Sequence, residues 1–319
     1  MINVAVVGLG GIATRASQGV QYTDNAHLYM AVSRDINKAK AFADKLSIPS
    51  YGTFEQMLKD DRVDLVYLCT PNHLHYQQIV DCFNHGKHVL CEKPMVSSSK
   101  EIKALFALAK SHNCFLMEAE KTLFTPANLK LKSLLNAGII GDVLHIQADY
   151  CYNIANLNFP KDHWPFMENH GGVLGDVGVY PIGFSLLMAD QPIQHITGYK
   201  RHFQDFKVDF HANAIISFEN KLSASITTSW LYDSLNRGSA TIYGSKGNIF
   251  FPCYWKWNRF DVVIEGKTQT IEVLQDSEFS GQVQHAASCI EQGLCESPYF
   301  NEAMHLDFLE VIESLKYID

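Results

Sequence analysis

The sequence predicts an α/β chain, with an N-terminal doubly wound parallel sheet followed by a C-terminal α/β domain built on a large open, mostly antiparallel sheet. Three observations predict it. Short apolar runs alternate with helically spaced apolar residues through the first third. A glycine-rich turn follows the first of those runs. Beyond residue 121 the pattern becomes mostly extended, with period-two alternation. The 319 residues suffice for about two domains, and the predicted segments are 1–121 and 122–319.

Taken in order, Ile2 to Val7 reads as a buried strand, and His27 to Ser33 as a second after the glycine turn and a helix. Ile36, Ala39, Phe42, Ala43 and Leu46 fall at helical spacing, and Pro49 closes that unit. Thr53 and Gln56 form a capping-box pattern ahead of Met57 and Leu58. Strands are predicted at Asp64 to Cys69, His88 to Cys91 and Phe115 to Glu118, separated by helices carrying Ile79 and Phe83, then Ile102, Leu105, Phe106 and Ala109. This cadence gives five or six parallel strands. Pro126 at a first helical turn and Gly138 as a stop bracket the next helix. Strands are then expected at Val143 to Tyr152, His195 to His202, Phe210 to Phe218, Leu222 to Trp230, Ala240 to Tyr243, Asn248 to Phe251, Phe260 to Ile264 and Thr268 to Val273. Two helices close the chain, one around Val283 to Ile290 and one around Met304 to Leu315.

Composition narrows the function classes. A net charge of −8 offers no basic surface for a nucleic-acid backbone. The eight cysteines lie in apolar segments without C-x-x-C spacing and read as reduced thiols of a cytoplasmic chain. No stretch approaches the ~18 apolar residues of a membrane span. His73-x-His75 and His85-x-x-His88 lack the cysteine or carboxylate partners of a tetrahedral site, so no metal is expected. The absence of a G-x-S-x-G elbow disfavours a serine hydrolase.

Gly8-Leu9-Gly10-Gly11-Ile12-Ala13 stands where a strand hands over to a helix, the context of a dinucleotide fingerprint. Gly8 permits the tight turn, Gly10 lets backbone approach a pyrophosphate, and Ala13 allows close packing, with Gly11 and Ile12 opening the helix. An NAD-binding strand ends in an acidic residue about twenty positions on. Ser33 and Arg34 occupy that place, which suits a 2′-phosphate and favours NADP(H), with NAD(H) as the alternative. Lys38 is within sequence reach of the same phosphate, and Asp35 is the nearby carboxylate that argues the other way.

The stretches Cys69-Thr70-Pro71-Asn72-His73-Leu74-His75 and Gly86-Lys87-His88-Val89-Leu90-Cys91-Glu92-Lys93-Pro94 make the reading specific. With Met117-Glu118-Ala119, Gly171 to Pro181, Gly244 to Ile249 and Glu296-Ser297-Pro298, they follow one another in an order that resembles the Gfo/Idh/MocA family of nicotinamide-dependent oxidoreductases. The resemblance implies a Rossmann domain joined to an α/β domain whose open sheet serves the substrate and forms a homodimer or homotetramer. It implies Thr70, Pro71, Asn72 and His75 as cofactor neighbours, and Glu92 and Lys93 beside the nicotinamide ribose, with Lys93 also reaching the substrate. Asp176 and Tyr180 complete the implied site, Tyr180 as in the dihydrodiol dehydrogenase and glucose-fructose oxidoreductase branches.

The chemistry of these side chains agrees with that implication. Hydride transfer from an alcohol leaves a proton to be moved, and a cation stabilises the developing alkoxide. Free tyrosine titrates near about 10, and a neighbouring ammonium such as Lys93 favours its phenolate. Asp176, four residues before Tyr180, shares its face where a helix begins there, and can orient a substrate hydroxyl or hold Lys93. Lys93, Tyr180 and Asp176 are therefore the expected catalytic set. The expected reaction interconverts a secondary alcohol and a ketone on a sugar, polyol, cyclitol or dihydrodiol. Two other classes remain open within the family: a dinucleotide-binding sensor without turnover, and a glycosidase that oxidises transiently. Relative to the family pattern, His170 replaces a glycine and Lys121 stands near a usual arginine. Substrate choice is expected to lie in the loop Asn153 to Asn169, where His163, like His170, is a further candidate contact.

Overall fold

A computed structural model describes residues 1–154, 164–166 and 171–318. Along the chain run β1 (Ile2–Val7), α1 (Gly11–Gln21), β2 (Ala26–Val32), α2 (Ile36–Leu46), β3 (Ser50–Gly52), α3 (Phe54–Leu58), β4 (Leu65–Leu68), α4 (His75–Asn84), β5 (His88–Glu92), α5 (Ser99–Ser111) and β6 (Leu116–Ala119). Then follow α6 (Pro126–Asn136), β7 (Val143–Cys151), α7 (Val179–Ala189), β8 (Ile193–Arg201), β9 (His211–Phe218), β10 (Ser223–Ser229), β11 (Ser239–Gly244), β12 (Gly247–Pro252), β13 (Arg259–Ile264) and β14 (Lys267–Glu272). The chain closes with α8 (Ser280–Glu291), α9 (Glu302–Ser314) and β15 (Lys316–Tyr317).

Two compact units result, one of Met1–Phe124 with Asp276–His305, the other of Thr125–Gln275 with Leu306–Asp319. In the first, six parallel strands lie in the order β3-β2-β1-β4-β5-β6. That order is doubly wound, reversing between β1 and β4, where ligands of such sheets bind at the carboxyl ends of the strands. Val4, Ala5 and Val6 of β1 and all of β4 are buried, as strands covered on both faces require. β3 is the strand the sequence did not show: three residues after Pro49 carry no periodicity, yet they pair with Met30–Val32 at the sheet edge. The capping box of Thr53 and Gln56 forms in both directions. Drawn from sequence, the segment after 121 was continuous, but α8 packs on α1 in the first unit. Gly19 allows this, since a Cβ there would stand 2.5 Å from Phe279 Cβ.

The second unit holds a nine-stranded sheet in the order β14-β13-β12-β11-β7-β10-β9-β8-β15, antiparallel except for the β7–β10 and β8–β15 pairs. Ala212, Ala214, Ile216 and Phe218 of β9 face the core while Ile215 is exposed. α7 packs across β7 and β10 on the core face. α6 begins with Pro126 at its first turn and ends in a Schellman arrangement: Gly138 (φ +71°) donates to Leu135 O at 2.9 Å and Ile139 to Leu134 O at 3.2 Å. Among the described residues no helix is long and apolar enough to cross a membrane. All eight cysteines are free, and seven of them are buried.

Candidate active site

The sheet order of the first unit carries four sequence-predicted segments to the carboxyl ends of neighbouring strands: Gly8–Ile12 after β1, Ser33 and Arg34 after β2, Thr70–Asn72 after β4, and Glu92 with Lys93 at β5. Gly8 has φ +87°, and a Cβ there would stand 2.8 Å from Thr70 Cγ2 and 2.9 Å from the Cys69 carbonyl. No other residue fits that turn. Gly10, by contrast, is the N-cap of α1 at φ −88°, without a side-chain cap, and a Cβ at Gly10 or Gly11 meets nothing within 4 Å. The first-turn amides therefore face open space with a positive helix end behind them, a ready place for a pyrophosphate. Ala13 is fully buried, as close helix–sheet packing demands.

Ser33 Oγ accepts from Asp35 N at 3.2 Å. The Asp35 carboxylate caps α2, accepting from Asn37 N at 2.9 Å and Lys38 N at 3.3 Å. The nearest carboxylate is thus held by the helix end, while Arg34 and Lys38 are exposed. Thr70 Oγ1 donates to Gln78 Oε1 at 2.6 Å. Asn72 Nδ2 is buried with no hydrogen-bond acceptor among the described residues, a donor of the kind a bound ribose or amide oxygen would satisfy. His75 is a buried cross-link: Nε2 lies 2.9 Å from Thr70 O and Nδ1 3.1 Å from Pro94 O, fastening the β4 loop to the residues after Lys93. Burial pulls its pKa down, against those carbonyl contacts.

Behind Lys93 lies a buried set of carboxyls. Glu92, at the end of β5, accepts from Tyr67 Oη at 2.8 Å, and Tyr67 Oη in turn accepts from Gln282 Nε2 of α8 at 2.6 Å. Burial pushes the Glu92 carboxyl up to about 7, with the Tyr67 hydrogen bond and the Lys93 charge acting the other way. Glu120 is completely buried, and its Oε2 accepts from Leu123 N at 3.2 Å. Burial raises it to about 7 as well, with the Lys121 and Lys93 charges opposing. Lys121 Nζ pairs with Glu278 Oε2 at 2.6 Å, and Arg15 takes the other oxygen. Glu120 is not among the sequence-predicted site residues, and its neighbour Glu118 entered only as part of the Met117-Glu118-Ala119 marker; its signal is a carboxyl directly after an apolar strand.

The second unit presents Asp176 and Tyr180. Asp176 sits in a π-helical turn, Leu174–Gly178, that runs into α7. Of the eleven residues of α7, ten are buried and Tyr180 is the exception. Tyr152 Oη donates to Asp176 Oδ2 at 3.2 Å. The Tyr180 ring lies 5.1 Å from Tyr150 and 6.4 Å from Trp255, and Tyr150 and Trp255 are 5.0 Å apart, so three aromatic rings cluster together, with Tyr152 edge-on to Tyr150 at 5.8 Å. His163 and His170, with most of the loop between, lie outside the described residues. Among the described residues no group of three His, Cys, Asp or Glu side chains is placed to hold a metal ion.

Residues 2–120 match the model of the oxidoreductase family with an NAD-binding Rossmann fold, Gfo/Idh/MocA, and residues 128–250 match the Gfo/Idh/MocA C-terminal domain. The chain belongs to this family. It is a nicotinamide-dependent oxidoreductase, with the Rossmann unit and second sheet expected from its sequence. It is 31% identical over 288 residues to the trans-1,2-dihydrobenzene-1,2-diol dehydrogenase of Xenopus laevis, covering 87% of this chain and 85% of that one. The enzyme of the same name from Sus scrofa is 30% identical over 305 residues, covering 91% and 88%. Among solved structures, the aldose-aldose oxidoreductase of Caulobacter crescentus has TM-score 0.86 at 23% identity, covering 98% and 96%. A 3-ketoreductase of Actinomadura kijaniata, solved with NADP, has TM-score 0.81 at 23% identity, covering 100% and 99%.

Proposed function

We propose that this oxidoreductase interconverts a secondary alcohol and a ketone on a dihydrodiol or sugar-like ring, with NADP(H) preferred over NAD(H). The observation that carries the reading is Asp176 and Tyr180 one turn apart, the carboxylate hydrogen-bonded by Tyr152 and the phenol flanked by Tyr150 and Trp255. Aromatic faces suit the apolar face of a ring, and a carboxylate suits its hydroxyls. The relatives named above, dihydrodiol dehydrogenases, support the same substrate class and neither the sensor nor the glycosidase reading.

When bound, the nicotinamide supplies the acceptor or donor of hydride. The uncapped amides after Gly10, the Asn72 amide and Glu92 are the groups that hold the dinucleotide, with Thr70, Pro71 and His75 shaping the loop beside it. Ser33 and Arg34 take the 2′-phosphate. Tyr180 and Lys93 move the hydroxyl proton, and Asp176 orients a neighbouring hydroxyl. Residues 1–121 serve the dinucleotide, and 122–319 serve substrate and subunit contact, with α8 returning to the first. The outer sheet face, where His145 bridges Ser223 and Ser225 at 2.8 and 3.0 Å and Ile215 is exposed, fits a homodimer or homotetramer interface. Eight free thiols suit the cytoplasm.

The test is turnover of trans-1,2-dihydrobenzene-1,2-diol, and of a panel of aldoses, with each cofactor. Reduction of NADP⁺ by a diol or sugar supports the reading. Binding of the dinucleotide without turnover of any ring alcohol would favour the sensor.

A further inference from the structure

The segment that carries Asp176 and Tyr180 has no cap of its own sequence: neither the π-helical turn nor α7 is closed at its start by a side chain from within it. The partner comes from 35 residues later. Asp209 Oδ2 accepts from Leu174 N at 2.8 Å, and the Asp209 carbonyl accepts from Val173 N at 2.8 Å. Two consecutive amides at the mouth of the turn are thereby held by one residue.

Its surroundings fix the arrangement further. Asp209 is 6% exposed, between Val208 and Phe210, which belong to the same apolar cluster as Val173, Val177 and Trp230. Gly172 stands at φ +95°, and a Cβ there would run into Asp209 Oδ1, so the chain passes over the carboxylate because that position is glycine. Gly172 N donates to Pro165 O at 2.7 Å, and Asp176 N donates to Gly172 O at 3.0 Å. Asp209 thus holds Val173 and Leu174, and Gly172, the residue just before them, accepts from the backbone of Asp176. The Lys200 ammonium and the His202 ring are the side-chain groups that favour the ionised form of Asp209, and burial is the larger influence opposing it.

We infer that Asp209 is a positioning residue: it clamps the entry of the turn and so sets where the Asp176 carboxylate and the Tyr180 phenol stand. A buried residue that holds two consecutive amides of one turn, Leu174 N by its carboxylate and Val173 N by its carbonyl, fixes the register more tightly than a solvated cap, because no water replaces the carboxylate when it is lost. A displacement of about 1 Å at a reacting group costs on the order of a hundredfold in rate.

The inference deepens the function proposed above and rests on it for its catalytic consequence, so the experiment carries one readout that does not. Hydrogen exchange of the peptide spanning Gly172–Tyr180 is followed in wild type, Asp209→Ala and Asp209→Asn, beside kcat, KM and NADPH affinity with trans-1,2-dihydrobenzene-1,2-diol. Asp209→Ala is expected to speed exchange of that peptide about tenfold or more, by loss of a buried hydrogen bond. It should lower kcat about thirtyfold or more while leaving NADPH affinity within about twofold. Asp209→Asn keeps an acceptor oxygen and should restore both readouts to within about threefold of wild type. Unchanged exchange in Asp209→Ala overturns the inference, as does a parallel loss of NADPH affinity. If wild type turns over none of the ring alcohols, the functional reading fails and exchange alone decides the clamp. If Asp209→Ala does not fold, Asp209→Asn decides: a loss beyond about tenfold in kcat, or in protection of the peptide, contradicts the inference.

Discussion

Tyr67 donates its hydroxyl to Glu92 Oε1 at 2.8 Å in a fully buried setting, and the Tyr67 oxygen itself accepts from Gln282 Nε2 of the returning helix α8 at 2.6 Å. One phenol therefore ties the end of β5, where Lys93 follows, to a helix almost two hundred residues later in the chain. Replacing it by Tyr67→Phe leaves both Glu92 and Gln282 short of a partner. The expected loss of stability is about 1–3 kcal/mol, read from urea unfolding midpoints. A midpoint equal to wild type would show that this hydrogen-bond chain is replaced by water.

Glu92 and Glu120 give the stability a pH dependence of known sign. Both carboxyls rise from an ordinary value of 4.5 to about 7 in the fold through burial. Between those values the folded chain holds protons that the unfolded chain has released, so their contribution is complete below about 4.5 and fades as pH rises through about 7. His75 and the half-buried His285, whose pKa values desolvation lowers, act in the opposite direction over part of that range. The difference between wild type and Glu120→Gln isolates one carboxyl. Glu120→Gln should gain stability relative to wild type as pH increases from about 5 to about 8, and a constant difference would refute the assignment.

Gly8 and Gly10 separate folding from binding. Gly8→Ala forces a Cβ against Thr70 and Cys69 at positive φ and should cost about 1–3 kcal/mol of stability. Gly10→Ala meets nothing in the protein, so its unfolding midpoint should stay at the wild-type value. Its NADPH affinity should fall about tenfold or more, because the methyl takes the space of the close backbone approach. Calorimetric titration alongside the melts reads both effects, and a Gly10→Ala variant with intact affinity would move the pyrophosphate elsewhere.

The proposed NADP(H) preference rests on Ser33 and Arg34, with Asp35 occupied as the cap of α2. Arg34→Ala should weaken NADPH by about ten- to hundredfold, the loss of a charge-assisted contact, and leave NADH within about threefold. Equal effects on the two would remove Arg34 from the 2′-phosphate.

Much of this architecture was legible along the chain because its signals are local. The glycine turn after β1, the capping box of Thr53 and Gln56, and the Gly138 stop are each written within a few residues. The β9 alternation is equally local. What was hidden is non-local or aperiodic. β3 is too short for a pattern and exists because β2 offers an edge. α7 is buried on every side except at Tyr180, so it has no apolar stripe to detect. The return of α8 to the first unit, the pairing of Tyr67 with Gln282, and the clamp of Asp209 on Leu174 join positions that no spacing rule connects.

The central claim, that Lys93 and Tyr180 move the proton of a ring alcohol, is tested most directly by single-turnover and steady-state oxidation of trans-1,2-dihydrobenzene-1,2-diol with NADP⁺ in wild type, Lys93→Ala and Tyr180→Phe. The account predicts that both variants fold, bind NADPH within about twofold of wild type, and lose about a hundredfold or more in kcat. Unchanged turnover in both variants contradicts it.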